Sequence, residues 1–121
     1  MNLVQIAQHA DDLDRAADFY TVLLETPPVA RFDDPGFVFF DLDGVRLLLD
    51  RAAPPALVYL RVDNVHEALE RLAGVVEVTT PPHVIFTHDA DTLGPAGHEE
   101  WQAFIRDSEG NTVGLVAFQK V

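Results

Sequence analysis

The chain has 121 residues, of which 48% are apolar, and this length and composition are typical of one compact domain with its own core. Its 20 acidic and 8 basic side chains give a net charge of -12, which disfavours binding to nucleic acid. The absence of cysteine excludes disulfides and thiolate ligands. There is neither a basic leader nor an apolar run of about 20 residues, so we expect a cytoplasmic protein without a membrane partner.

The chain begins with a strand pattern followed by a helix pattern. Residues 3–9 are mostly apolar, and Asp11 or Asp12 is suited to cap the helix that follows. Apolar residues then recur every three or four positions as far as Leu24, which predicts one buried stripe on that helix. The proline pair that starts at Pro27 prevents the helix from continuing.

Strand patterns follow this helix. Residues 33–36 have the composition of a turn, and residues 37–42 form a strand pattern rich in aromatic side chains. Asp43 and Gly44 predict a hairpin turn into a further strand at residues 45–49. The first part of the chain therefore has the order β-α-β-β-β.

The same order starts again in the second half. Residues 57–62 form a strand pattern, Asp63 and Asn64 are candidate caps, and the apolar spacing of a helix follows up to Gly74. The two helices align with a constant offset of 52 residues, as from Ala16 to Ala68. We interpret the chain as a single domain of two modules, residues 1–53 and 54–121.

The rest of the second module contains four strand patterns and one long loop. Residues 89–100 include two glycines and one proline, which predicts a loop that serves either as a functional lid or as a surface excursion without a role. The strands are predicted at residues 75–79, 83–88, 101–106 and 112–118.

The last hairpin provides a resemblance to a known family. Its turn, Asp107-Ser108-Glu109-Gly110-Asn111, together with the Phe19-Tyr20 pair and the two modules, resembles the glyoxalase/bleomycin-resistance superfamily of vicinal oxygen chelate proteins. Ser108 stands where that family often has proline. The resemblance implies an α+β fold in which two βαβββ modules form a cup-shaped mixed sheet, with helices on the convex face and a ligand on the concave face.

The resemblance also implies a divalent metal, bound by one residue from the first and one from the last strand of each module. These positions correspond to Gln5, Leu57, Leu47 or Leu49, and Gly114. Only Gln5 has a donor atom, whereas catalytic metal sites need about three protein ligands. We therefore expect no cofactor at these positions.

The histidines offer an alternative site. His83 and His88 are five residues apart on a predicted strand, so their side chains point to opposite faces unless a bulge intervenes. His98, Glu99 and Glu100 lie on the predicted loop beside His88. Three interpretations remain for this group: a substitute metal site of His88, His98 and a glutamate, acid and base residues that contact a ligand, or solvated side chains.

Strand alternation predicts which residues line the concave face. Ala7 and His9 share a face with Gln5, and Val116 and Phe118 share one with Gly114. The missing side chain of Gly114 predicts a roomier, apolar surface. His9 and Trp101 also have simpler explanations, as a strand end whose charge the neighbouring aspartates favour and as a core residue. The candidate ligand-binding residues are Gln5, His9, Leu49, Leu57, Trp101, Gly114 and Val116.

Two functions follow from these patterns. The first is metal-independent sequestration of a small hydrophobic or aromatic ligand, neutral or cationic, similar to the bleomycin-resistance branch. The second is a lyase, isomerase or epimerase that resembles lactoylglutathione lyase or methylmalonyl-CoA epimerase and uses His88, His98 or Glu100, with an arginine to stabilise an enolate. An inert or partner-binding module is the third reading. We expect a homodimer.

Overall fold

The computed structural model describes all 121 residues, in two compact units. The first unit comprises Met1–Ala56 and Asp107–Asn111, and the second comprises Leu57–Arg106 and Thr112–Val121. Each unit contains a four-stranded mixed sheet and one helix. The predicted α+β class with two βαβββ modules is confirmed. Neither helix is long and apolar enough to cross a membrane.

The sheet of the first unit has the strand order β1-β4-β3-β2, in which β1 is parallel to β4 and the other neighbours are antiparallel. Its elements are β1 (Gln5–His9), α1 (Leu13–Leu24), β2 (Ala30–Phe32), β3 (Phe37–Leu42) and β4 (Val45–Asp50).

Helix α1 covers one side of this sheet. Asp12 caps the helix by accepting a hydrogen bond from the Arg15 backbone N–H at 3.0 Å. The ring of Tyr20, on the buried stripe of the helix, lies 6.3 Å from the ring of Phe40 on β3. Because Phe40 is the cross-strand partner of Leu47, the side chain of Leu47 also lies on the helix side of the sheet.

The second unit repeats this arrangement with the order β5-β8-β7-β6, in which β5 is parallel to β8. Its elements are β5 (Val58–Arg61), α2 (Val65–Arg71), β6 (Glu77–His88), β7 (His98–Arg106) and β8 (Thr112–Lys120). Asn64 caps α2 through the Glu67 backbone N–H. The helix ends before Gly74, whose φ of +79° lies in the left-handed region.

Strand β6 differs from the prediction, which had two strands at residues 75–79 and 83–88. The structure has one 12-residue strand that continues through Pro81 and Pro82, with three register irregularities against β7. Proline lacks a backbone N–H and is tolerated here because β6 is an edge strand that pairs on one side only. The sequence pattern alone suggested a break at the prolines.

The predicted loop at residues 89–100 is also shorter than expected. Strand β7 begins at His98, so the connection comprises residues 89–97, which we call the β6–β7 loop. His98 pairs with His88 across the two strands, and the Gly97 N–H donates to the His88 carbonyl at 2.8 Å. His98, Glu99 and Glu100 therefore lie on a strand, where alternate side chains point to opposite sides of the sheet.

The turn Asp107–Asn111, which joins β7 to β8, packs within the first unit. The Tyr20 hydroxyl donates to Asp107 Oδ2 at 2.6 Å, and the backbone N–H groups of Glu109 and Asn111 donate to Asp107 Oδ1. The Asn111 amide donates to the carbonyl of His9 at 2.8 Å. Asp107 thus accepts hydrogen bonds from helix α1 and from its own turn. The turn on which the family resemblance rests therefore has a structural role.

A second contact binds the same turn to the start of α1. The carboxylate of Glu109 accepts hydrogen bonds from the Arg15 guanidinium at 2.8 and 3.0 Å and from the Asp12 backbone N–H at 2.9 Å. Burial alone would raise the pKa of Glu109, but these bonds and one from Ser108 outweigh it and lower the pKa to about 2. The carboxylate is therefore charged over the whole neutral and mildly acidic range.

Candidate functional site

The side of the second sheet that faces away from α2 carries most of the chemically active side chains. Trp101 contacts His66 of α2 with ring centroids 5.0 Å apart, so the side of the sheet that bears Trp101 is the helix side. The residues that alternate with it define the opposite side, which we call the open face. The open face includes Tyr59, Arg61, His83, Phe86, His88, His98, Glu100, Gln102, Phe104, Gly114, Val116 and Phe118.

Gly114 lies under a pair of aromatic rings on the open face. The rings of Tyr59 and Phe104 meet edge to face with centroids 5.8 Å apart. A Cβ atom at position 114 would lie 2.9 Å from Tyr59 Cδ2, so the Tyr59 ring would have to shift, and 3.2 Å from Phe104 Cε1, which is a tight contact. The expectation that Gly114 leaves an open space is wrong, since the two rings fill it.

A second aromatic group lies nearer to the β6–β7 loop. The ring of His88 is 4.9 Å from Phe86 and 5.7 Å from Phe118. The loop approaches this group at Gly94, where a Cβ atom would lie 2.6 Å from the Phe118 ring and 2.9 Å from His88 Nε2. Glycine is needed at position 94 because any side chain would displace the loop from these rings.

His88 and Glu100 form the central polar pair of the open face. His88 is only 2% exposed, and its Nε2 lies 2.9 Å from Glu100 Oε1. Gln102 donates to the other oxygen of Glu100 at 2.7 Å. Both oxygens of this carboxylate are therefore held by neighbouring side chains, so its orientation is defined before any ligand binds.

The structure brings together two of the three residues that the sequence proposed for catalysis. His88 and Glu100 are in contact, whereas His98 Nδ1 lies 3.0 Å from the Ala96 carbonyl of the loop. Glu99 pairs with Thr87 and lies on the helix side, opposite to Glu100. Strand alternation separates Glu99 from Glu100, whereas His98 is on the same side as Glu100 and its ring is held at the Ala96 carbonyl instead. The alternation was hidden while these residues were assigned to a loop.

The residues at the positions where the resemblance implies a metal are not suited to bind one in this chain. Cross-strand register pairs Ala7 with Leu48 and Tyr59 with Gly114. Leu48, rather than Leu47 or Leu49, is therefore the counterpart of Gly114. Leu49 is fully buried on the helix side, which contradicts its prediction as a ligand-binding residue.

Leucine and glycine side chains offer no donor atom, so a cation would have only the neutral amide of Gln5 at the corresponding positions. No group of three or more histidine, cysteine, aspartate or glutamate side chains is arranged to hold a metal ion. A bulge between Val84 and Phe86 puts His83 and His88 on the same side of the sheet, but their partners Gln102 and His98 are four positions apart on β7. That separation, roughly 13 Å, is too large for one ion.

The remaining predicted site residues are distributed over both units. Trp101 lies on the helix side of its sheet, away from Gly114. Leu57 immediately precedes β5, is 55% exposed and lies two residues before Tyr59. Val116 lies on the open face, opposite Arg61. Gln5 belongs to the first unit, beside Arg46.

His9 also belongs to the first unit and has a structural role at the end of β1. Its ring nitrogens lie 2.8 Å from Asp11 Oδ1 and 2.9 Å from the Ala53 carbonyl. The hydrogen bond to Asp11 raises the pKa of His9, in the direction that the sequence predicted. Because both nitrogens have partners, this side chain has no nitrogen left for a ligand.

The sequence analysis missed Tyr59, Phe104 and Gln102 as members of the site. Tyr59 follows Leu57 by two positions, so alternation along β5 was a usable signal for it. Phe104 and Gln102 needed the register between β7 and β8, which places them beside Gly114 and Val116. That register is a tertiary property and has no signal in a single strand.

No protein-family model matches the sequence, and no curated protein matches it. Solved structures match nearly the whole chain. TnmS3, an antibiotic binding protein from Streptomyces sp. CB03234, is 20% identical with a TM-score of 0.68, over 100% of this chain and 97% of that chain. A member of the glyoxalase/bleomycin resistance protein/dioxygenase superfamily from Sphaerobacter thermophilus DSM 20745 is 20% identical with a TM-score of 0.70, over 97% of each chain.

A glyoxalase-related enzyme from Fulvimarina pelagi is 17% identical with a TM-score of 0.69, over 97% of this chain and 88% of that chain. These likenesses show that the chain has the fold of the glyoxalase/bleomycin resistance/dioxygenase superfamily, as the resemblance implied.

Proposed function

We propose that the protein binds a small hydrophobic or aromatic molecule on the open face of the second unit, without a metal. The observation that carries this proposal is the Tyr59 and Phe104 ring pair above Gly114. The ring pair lies beside Gly114, one of the positions where the resemblance implies a metal-binding residue. A ring surface of this kind favours stacking over chelation.

The exposure of the rings supports the proposal. Tyr59 is 49% exposed and Phe86 is 54% exposed, although both lie on a sheet with a packed opposite side. An aromatic ligand that covers such rings gains about 0.5–1.5 kcal/mol per ring pair beyond the area that it buries. The likeness to an antibiotic binding protein supports the binding of a small molecule.

The charge of the ligand is a separate question. The overall charge of -12 favours a neutral or cationic ligand through long-range attraction. The exposed guanidinium of Arg61, however, lies 5.0 Å from the centroid of the Phe118 ring and can contact an acidic group directly. Long-range steering and local contact therefore favour opposite charges.

Binding of planar aromatic compounds to chelator-treated protein tests the proposal. We expect naphthalene and anthraquinone derivatives to bind at one site by calorimetry, and Tyr59→Ala to weaken that binding at least fivefold. Phe32→Ala is the matched control, because Phe32 is a half-exposed ring on the first unit. Binding that appears only after a divalent metal is added would overturn the proposal.

The His88 and Glu100 pair favours a second candidate, an enzyme of the lyase, isomerase or epimerase type. A carboxylate held by a buried histidine and a glutamine is suited to abstract a proton α to a carbonyl group. We would expect such an enzyme to exchange the α-proton of a ketone or thioester for deuterium in D2O, and Glu100→Gln to abolish the exchange. Stoichiometric binding without exchange would leave sequestration as the function.

We also propose a homodimer that forms through the edge strand β6. Val84 and Ile85 are 39% and 50% exposed on this edge, and residues 78–88 contain no acidic, lysine or arginine side chain. Two copies of a strongly acidic chain repel each other least along such a segment. Light scattering after size-exclusion chromatography tests this, and we expect Ile85→Lys to give a monomer.

A further inference from the structure

The basic side chains of the chain differ in how they are neutralised. Arg15 pairs with Glu109 at 2.8 Å, Arg106 pairs with Glu77 at 3.8 Å, and Arg31 pairs with two aspartates. Arg61 is exposed and has no carboxylate within 4.0 Å, although acidic residues outnumber basic ones by 20 to 8. Arg46 and Arg51 of the first unit also have no carboxylate within 4.0 Å, but of these three only Arg61 lies on the open face of the second unit.

We propose that Arg61 binds the acidic group of an aromatic ligand, so that the open face selects planar aromatic acids, either carboxylates or phenolates. This inference rests on the proposed function, because it names the chemical class of the ligand for the same site. It departs from the neutral or cationic ligand that the overall charge favours.

The position of the guanidinium supports this selection. Strand β5 places Arg61 two residues after Tyr59 and opposite Val116, and the guanidinium lies over the ring of Phe118, 5.0 Å from its centroid. The five N–H donors of a guanidinium lie in the plane of the group, and no carboxylate within 4.0 Å occupies those of Arg61. Those donors remain able to form two parallel hydrogen bonds with a carboxylate beside the aromatic rings.

The neighbouring carboxylate does not neutralise this charge. Glu100 shares the open face, but its two oxygens accept from His88 and Gln102. Gly114 brings no carboxylate to the face, and Val116 is apolar. Glu100 keeps its own negative charge, but neither of its oxygens lies within 4.0 Å of the Arg61 guanidinium, so the donors of Arg61 are left for an acidic group of the ligand.

The first unit contains a related arrangement that differs in one respect. Arg46 lies over the ring of Phe39 at 5.6 Å, but its cross-strand partner is Asp41. A carboxylate directly across the strands partly offsets the charge of Arg46, although the two groups form no ion pair within 4.0 Å. Since the cross-strand partner of Arg61 is a valine, Arg61 lacks this offset.

A matched set of naphthalene compounds tests the inference on the full chain: 2-naphthoate, 2-naphthamide and 2-naphthylmethylammonium. By calorimetry at neutral pH and low salt, we expect the anion to bind about tenfold more tightly than the amide. Arg61→Gln should remove this preference by weakening the binding of naphthoate about tenfold, while the binding of naphthamide changes less than twofold.

Two further variants separate local contact from overall charge. Arg106→Gln removes the same formal charge from the same sheet, and we expect it to leave the preference for naphthoate unchanged. Arg61→Lys retains the charge without the planar fork, so it should keep only part of the preference. Thermal unfolding of each variant, followed by circular dichroism, checks that it is folded.

The possible results distinguish this inference from the proposed function. Equal binding of naphthoate and naphthamide, or tighter binding of the ammonium compound, would overturn the role of Arg61 and leave aromatic binding intact. A preference for naphthoate that persists in Arg61→Gln would also overturn it. If no member of the set binds at all, the proposed function fails and the inference fails with it.

Discussion

The two sheets differ in the residues that occupy equivalent positions on the side away from the helix. On the side away from the helix, β1 and β4 of the first unit pair Ala7 with Leu48, whereas β5 and β8 of the second unit pair Tyr59 with Gly114. The large and small residues have exchanged strands. On the helix sides, both sheets keep buried aliphatic residues at matching positions: Leu47 and Leu49 in one, Val113 and Leu115 in the other.

This contrast shows which part of a repeated module is free to change. The helix side must fill the core in both units, because an unfilled core position costs several kcal/mol. The opposite side carries no such constraint, and in the second unit it holds aromatic rings, an unpaired arginine and a buried histidine. The differences between the modules are therefore concentrated on the face that we propose binds the ligand.

The turns that precede the last strands differ as strongly. Asp41 and Asp107 are 66 residues apart, the same offset that relates Leu48 to Gly114. Asp41 is exposed and accepts only the Gly44 N–H, whereas Asp107 is buried and accepts from Tyr20, Glu109 and Asn111. Equivalent aspartates thus serve a simple hairpin in one module and an anchor to helix α1 in the other.

The largest expected effect comes from Asp107→Ala. It leaves the buried Tyr20 hydroxyl and the turn N–H groups without an acceptor, so the free energy of unfolding should fall by about 3–5 kcal/mol. The matched variant Asp41→Ala should cost about 1 kcal/mol or less, since water replaces the carboxylate at an exposed turn. Urea denaturation measures both, and equal losses would contradict the contrast between the two turns.

The next effect is a loss of stability in acid that depends on Glu109. Its pKa of about 2 in the folded state lies below the usual 4.5, so its stabilising contribution is complete above about pH 4.5 and is lost as the pH falls towards 2. We expect this contribution to be about 1–2 kcal/mol, because its partner Arg15 is half exposed. Glu109→Gln should flatten the pH dependence of the urea midpoint between pH 5 and 3.

A third prediction addresses the exchange of large and small residues between the sheets. Gly114→Ala should lower the free energy of unfolding by about 1–2 kcal/mol, because its methyl group displaces the rings of Tyr59 and Phe104. The double variant Gly114→Ala with Tyr59→Ala should recover part of this cost. If the double variant loses as much free energy of unfolding as the two single variants together, the packing of the Tyr59 ring does not require a glycine at position 114.

The smallest expected effect concerns the two sides of the second sheet. Trp101→Phe should change the affinity for the naphthalene compounds less than twofold, because Trp101 lies on the helix side beside His66. Phe118→Ala, on the open face, should weaken that affinity at least fivefold. Calorimetry compares the two variants directly, and a larger effect at Trp101 would place the ligand on the wrong side of the sheet.

Much of the fold was predictable because its signals are local. Helix caps, hairpin turns and the apolar spacing of a helix depend only on residues that are close in the sequence. This is why the caps at Asp12 and Asn64 and the turn at Asp43 and Gly44 were predictable. The repeat at an offset of 52 residues and the C-terminal turn then indicated two βαβββ modules and the superfamily fold. The residue types were also enough to show that three of the four implied metal positions have no side-chain donor atom, with Gln5 as the exception.

The tertiary structure decided what those residues do. Whether Leu48 or Leu49 faces away from the helix depends on strand register, and a shift of one residue reverses every side chain. The edge position of β6 allowed a strand to continue through two prolines and brought His88 to Glu100. From the sequence alone, Gly114 predicted an empty space on the sheet. In the structure, rings from two neighbouring strands fill that space, because the fold brings them over a position that has no side chain of its own.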